Sequence, residues 1–286
     1  IGAVMAKFFS EIKKGISKIS LDVALQHNST KKNKQNTINN SIIIDSISVV
    51  LGIALSVFLI KLIDYKFAAF VLVFLSLLGV YFYSRVDEMT RFKLPKKVQL
   101  PNIQLNLKLI LFSEILYWFA LASSFALVVT FLVTDLFSAS IEWIGLLFGS
   151  LFLAIMISTA FSKKYFSKFN LFKMSILGMF ILFLAAVLII LSKNIYVILA
   201  AFIIEGIGAG IWMPPKTALH WKLTGKESRE KVSGFLFGGR NLVSALGPLF
   251  GGFLVVQFSI LAPFYFRAGI CLIIVGLYLY TWKKYG

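Results

Sequence analysis

Long apolar runs separated by short polar segments, most of them basic, set the pattern of this chain. A helix rising 1.5 Å per residue needs about 20 apolar residues to cross about 30 Å of hydrocarbon. Eight runs fit or approach that length: 42–60, 67–83, 107–133, 144–161, 171–191, 195–213, 232–256 and 263–282, the second and fourth being the shortest. None alternates with period two, which excludes a β-barrel. Unpaired backbone groups in lipid cost several kcal/mol each, so the runs are expected to be helices. The pattern predicts an all-α polytopic membrane protein with about eight transmembrane helices.

The first 25 residues follow another rule. Val4, Phe8, Ile12, Ile16, Ile19 and Val23 recur at helical spacing, while Lys7, Glu11, Lys14, Lys18 and Asp22 recur on the other face. Charges at that density do not sit at bilayer depth. Two readings stay open: an interfacial amphipathic helix, or the cytoplasmic end of a spanning helix whose upper part is missing, which Ile1 in place of a starting Met favours. No signal peptide is visible.

Composition sharpens the membrane reading. The 286 residues are 59% hydrophobic and 14% charged, against about 45–50% and about 25% in an ordinary globular chain. The net charge of +17 is distributed in clusters between the runs, which argues for membrane topology and against a nucleic-acid surface. Alternate loops divide the Lys and Arg residues twenty-four to three. Since cytoplasmic loops carry the excess, both chain ends are expected in the cytoplasm, with the plasma membrane as the location. Trp143 at an outer edge and Trp221 and Trp282 at inner edges fit an aromatic belt. One cysteine, Cys271, and two histidines, His27 and His220, leave no material for a disulfide, a zinc cluster or a redox pair. No metal and no cofactor are expected.

An internal repeat supports a carrier. The loop beginning Thr30-Lys31-Lys32 resembles the loop beginning Thr224-Gly225-Lys226, about 195 residues later, and Ala24-Leu25 and Ala218-Leu219 precede the two. Ile1-Gly2-Ala3 echoes Ile207-Gly208-Ala209. Six helices separate the copies, and the largest basic linker falls between the second and third runs. A six-helix unit followed by a parallel second unit is a transporter architecture.

On these residues the chain resembles the major facilitator superfamily. The similarity is best over 204–256: Glu205-Gly206-Ile207-Gly208-Ala209-Gly210, then Pro214-Pro215, a basic loop, Arg240-Asn241, and Gly247-Pro248-Leu249-Phe250-Gly251-Gly252. The resemblance implies that the eight runs correspond to helices five to twelve of a twelve-helix parent. Residues 1–85 would then be the remainder of the first bundle, with helix four at 1–25 and no counterpart of helices one to three. A cytoplasmic linker at 86–106 and a C-terminal six-helix bundle at 107–286 would follow. The family's Gly-x-x-x-Asp-Arg-x-Gly-Arg loop is missing, and its second copy is reduced to Ser162-Lys163-Lys164-Tyr165-Phe166-Ser167-Lys168.

Ionisable residues at bilayer depth are functional hypotheses by default. Glu205, near the middle of its run, is a candidate proton or cation site, or else half of a packing ion pair. Arg240 is a candidate for an acidic substrate group, for pairing with Glu205 in one state, or for a cytoplasmic gate. Asp45, its near-equivalent in the first copy, is the gate partner in that last reading. Glu114 is a second protonatable candidate beside Tyr117 and Trp118, and Arg267 is assigned to packing. Tyr117, Trp118 and Trp212 are candidates for stacking on an aromatic or cationic substrate, or for plain packing. Gly247, Pro248, Gly251 and Gly252 form a candidate helix-break motif, and Pro214-Pro215 is expected to end or bend the sixth run.

No enzyme constellation is present: Thr224-Gly225-Lys226-Glu227 lacks the rest of a phosphate-binding loop. The expected function is secondary transport of a small solute by alternating access in a lipid bilayer, with Glu205 taking a proton if the transport is proton-coupled, and with a lean to export. The alternative is a truncated membrane protein that scaffolds partners.

Overall fold

The structure, a computed structural model, describes residues 34–62, 105–125, 127–140, 142–165, 169–224 and 229–285. The amphipathic segment at 1–25, the run at 67–83 and the basic linker lie outside the described residues. The elements are α1 (Lys34–Leu62), α2 (Leu105–Ser124), α3 (Leu127–Phe131) continuing into a π-helical turn at Leu132–Leu136, α4 (Glu142–Tyr165), α5 (Leu171–Ile190), α6 (Ile195–Leu223), α7 (Arg229–Gln257) and α8 (Ala262–Tyr285). Among the described residues six stretches are long and apolar enough to cross a membrane: Leu105–Leu136, Glu142–Ser162, Leu171–Ile190, Ile195–Leu223, Val232–Gln257 and Ala262–Lys284. The protein is an all-α, multi-pass integral membrane protein.

Side-chain caps start two of the helices. Asn170 accepts a hydrogen bond from the Phe172 amide at 2.9 Å and Asn194 from the Val197 amide at 3.0 Å, satisfying N–H groups that the first turn leaves unpaired. Both caps precede a run in which nearly every residue is apolar, so the polar-to-apolar step coincides with the cap.

The bundle is a ring. α4 packs on α6, α6 on α5, α5 on α8 and α8 on α2, and a short contact between α2 and α6 closes the circle. α7 lies along α2 and α1 along α4, outside the ring. Trp212, Phe202, Phe264, Met179, Leu182 and Ile198 fill the centre. Lys108, Lys173, Lys222, Lys283 and Lys284 share one end of the bundle, called here the basic end. There Lys173 lies over Trp282, while at the far end Trp143 meets Tyr196 edge to face.

Glycines let α6 approach its neighbours. A Cβ on Gly206 would strike Leu151 and Ala154 of α4, one on Gly210 would strike Ser158 and Ile155, and one on Gly208 would meet Leu182 of α5 at 3.0 Å. Small residues four apart bring transmembrane helices close in this way. Gly247 and Gly251 do the same for α7, facing Ala122 and Ser123 of α2, whereas Gly252 faces open space.

The helices continue through both proline-containing motifs. Of the two outcomes expected at Pro214-Pro215, an end or a bend, α6 does not end there; both prolines lie inside a helix that continues to Leu223. Proline at 214 removes the amide that would bond the Gly210 carbonyl four residues back, and Thr159 of α4 donates to that oxygen instead, at 3.4 Å. Neighbouring hydroxyls commonly make up such losses within membranes. Likewise α7 runs unbroken through Gly247, Pro248, Gly251 and Gly252. The third run, expected as one span, lies within the single candidate span Leu105–Leu136, which α2, α3 and the π turn make up.

Candidate functional site

Among the described residues two ion clusters lie inside the bundle, both built on α6. In the first, Arg267 of α8 donates from Nη1 to Glu205 Oε1 at 3.0 Å and from Nη2 to Glu205 Oε2 at 3.1 Å. Glu205 is 3% exposed and Arg267 2%. The two parallel bonds match the planar guanidinium to the carboxylate and use both carboxylate oxygens.

The second cluster lies toward the basic end. Lys216 Nζ donates to Glu114 Oε1 of α2 at 2.6 Å, and His220 Nε2 lies 3.3 Å from Glu114 Oε2. All three side chains are buried. Lys216 and His220 are four apart and therefore stacked on one helix face, while Glu205 and Lys216, eleven apart, are close to three full turns apart. One face of α6 thus carries both clusters along the seam between α2 and α8.

Aromatic rings connect the clusters. Trp212 lies between them on α6, with Lys216 Nζ over its ring at 4.4 Å and Tyr117 edge-on at 4.7 Å. Tyr117 also meets Trp118, and the Arg240 guanidinium of α7 lies 3.3 Å from the centre of the Trp118 ring. Trp212 and Trp118 therefore each already carry one of the protein's own cations on the ring, while Tyr117 meets only other rings.

The structure brings together Glu114, Tyr117, Trp118, Trp212 and Arg240, and sets Glu205 among the same elements. Glu205 is engaged here by Arg267 of α8, and Arg240, one of whose expected roles was to pair with Glu205 in one state of a cycle, lies on α7 over Trp118. Asp45 is exposed on α1, which packs along α4 and α6, whereas Arg240 is on α7 along α2. Sequence reasoning missed three members: Arg267, assigned to packing alone, Lys216, counted with a cytoplasmic loop, and His220. The i to i+4 spacing of Lys216 and His220 was visible, and became readable as one face only if the helix passed the two prolines. No group of three or more His, Cys, Asp or Glu able to hold a metal occurs among the described residues.

Comparison with known proteins gives a match of residues 110–285 to the model of the Major Facilitator Superfamily. The chain is 29% identical over 129 residues to "Multidrug resistance protein 2" of Bacillus subtilis (strain 168), covering 45% of this chain and 32% of that protein. It is 26% identical over 143 residues to "Multidrug efflux pump SdrM" of Staphylococcus aureus (strain N315), covering 48% of this chain and 31% of that protein. The matched part spans about a third of the length of each relative.

Proposed function

The chain belongs to the Major Facilitator Superfamily, a family of transporters and not of enzymes, and from that premise we propose that it serves in a secondary carrier exporting a small solute by alternating access, with protons as the driving ion. The lean to export draws on the printed names of the two relatives. The positive-inside distribution supports a plasma-membrane orientation with both chain ends in the cytoplasm.

The observation that carries the proposal is the Glu205–Arg267 pair, a carboxylate and a guanidinium held together among membrane-spanning helices. A charge at that depth is costly and persists only when it is paired or serves a pathway. In the proposed cycle, protonation of Glu205 removes the attraction that ties α6 to α8 and leaves Arg267 to a substrate group or to water. Deprotonation on the other side restores the tie. A carboxylate neutral toward one side and charged toward the other transmits the proton gradient to the solute.

The test uses protein purified from its own membranes, reconstituted into vesicles with an imposed pH gradient and ethidium as the transported probe. Glu205→Gln is expected to abolish uphill movement while leaving exchange partly intact. Uphill movement at the unsubstituted rate would remove Glu205 from the coupling path.

A further inference from the structure

α5 and α8 pack side by side over a long stretch, and at the basic end a groove of about 400 Å³ lies between them. Its walls are Lys173, Ile176, Leu177 and Phe180 of α5 and Leu279 and Trp282 of α8. Leu177, Phe180 and Leu279 are exposed, whereas their neighbours Gly178, Met179 and Tyr278 are buried in the bundle. The groove therefore opens on the side of the two helices that faces hydrocarbon. Gly276, one turn from Leu279 on the same face of α8, has open space where a side chain would stand, so that wall stays low beyond Leu279.

The charge of the groove is gathered at one end. Lys173 stands in the first turn of α5 and Lys283 in the last turn of α8, and both are exposed. Residues three or four apart share a helix face, so Lys173 heads the wall made by Ile176 and Leu177, and Lys283 continues the wall made by Leu279. The Lys173 ammonium reaches across to α8, 5.2 Å from the centre of the Trp282 ring. That contact holds it at the depth of the ring instead of releasing it into water. Among the described residues no carboxylate pairs with either lysine. The positive end of the α5 dipole lies at the same place.

We propose that this groove binds one phospholipid with an anionic headgroup, its phosphate held by Lys173 and Lys283 and an acyl chain laid along Ile176, Leu177, Phe180 and Leu279. A zwitterionic headgroup presents a cation of its own to the two lysines, and a free anion covers none of the apolar wall. An anionic phospholipid satisfies both ends of the groove, as basic pockets between spanning helices do with such headgroups elsewhere. A lipid seated there touches both helices and straps α5 to α8 at the basic end. The inference needs the membrane-spanning fold alone and is independent of the transport cycle.

Native mass spectrometry of the full chain released from detergent micelles counts bound lipids directly, with dioleoyl phosphatidylglycerol, dioleoyl phosphatidylcholine or inorganic phosphate added. The first phosphatidylglycerol is expected to bind roughly twentyfold more tightly than the first phosphatidylcholine, and inorganic phosphate is expected not to displace it. Lys173→Gln and Lys283→Gln should each reduce that preference by about fivefold. Lys222→Gln, which removes an exposed lysine of the same end outside the groove, should leave it unchanged. If one groove variant does not fold, the other decides. Equal binding of the two lipids overturns the site, as does a preference that the surviving groove variant leaves in place. A loss in Lys222→Gln as large as in the groove variants would show diffuse surface charge, and displacement by inorganic phosphate would show that the apolar wall takes no part; either result also overturns it.

Discussion

A buried charge is held by what faces it, and Arg267 illustrates this most simply. Its guanidinium uses both oxygens of Glu205, so removing it leaves a carboxylate in the bundle with no counter-charge. Such a loss costs about 3–5 kcal/mol, whereas removing both partners of a buried pair is often nearly neutral. Arg267→Met is therefore expected to lower the unfolding midpoint in detergent strongly, and adding Glu205→Gln to recover much of it. A double variant no more stable than the single one would show that the pair does not act as a unit. At this scale the sequence was half legible. An acidic residue inside an apolar run stands out by its cost, which singles out Glu205 and Glu114. Which cation answers each one depends on helix packing, and no one-dimensional spacing links Glu205 to Arg267 or Glu114 to Lys216.

Helix α6 carries more of the site than any other element, and its composition explains how. Glycines at 206, 208 and 210 bring it against α4 and α5, and the prolines at 214 and 215 are absorbed because α4 supplies a hydroxyl. Gly210→Ala should destabilise by about 1–3 kcal/mol, the usual cost of forcing atoms into a packed interface. Gly252→Ala, facing open space, should be close to neutral. Thr159→Val should cost about 1 kcal/mol, the net worth of one hydrogen bond. Chemical-denaturation midpoints of the three variants check this order, and equal effects at Gly210 and Gly252 would contradict the close approach of α6 to α4. The spanning character of α6 was readable from its apolar run, but its length was not. Proline inside a helix is a reliable stop in water, and here the carbonyl it orphans finds a neighbour's hydroxyl. That partner lies 51 positions away in the chain, so reading the prolines as a terminator also hid Lys216 and His220. The ends of α5 were clearer, because Asn170 and Leu191 bracket the apolar run so closely.

For the whole molecule, the testable quantity is orientation. Lys193 and Lys222 are exposed at opposite ends of α6. In a Cys271→Ser background, Lys193→Cys is expected to react with an impermeant maleimide added to intact cells, and Lys222→Cys only after the membrane is opened. The reverse pattern would invert the proposed topology. Cys271 itself is buried, so the unsubstituted protein should stay unlabelled until unfolded.

The two clusters also constrain how α6 can move. They grip the same face of one helix about 16 Å apart along its axis, the middle one to α8 and the lower one to α2. A twist about the long axis has to slip both grips at once. A tilt that pivots at Glu205 opens only the lower grip and leaves the upper one closed. While Glu205 stays ionised and paired with Arg267, the helix is mounted as a lever with its fulcrum there, and its direction of least resistance is a swing of the basic end away from α2.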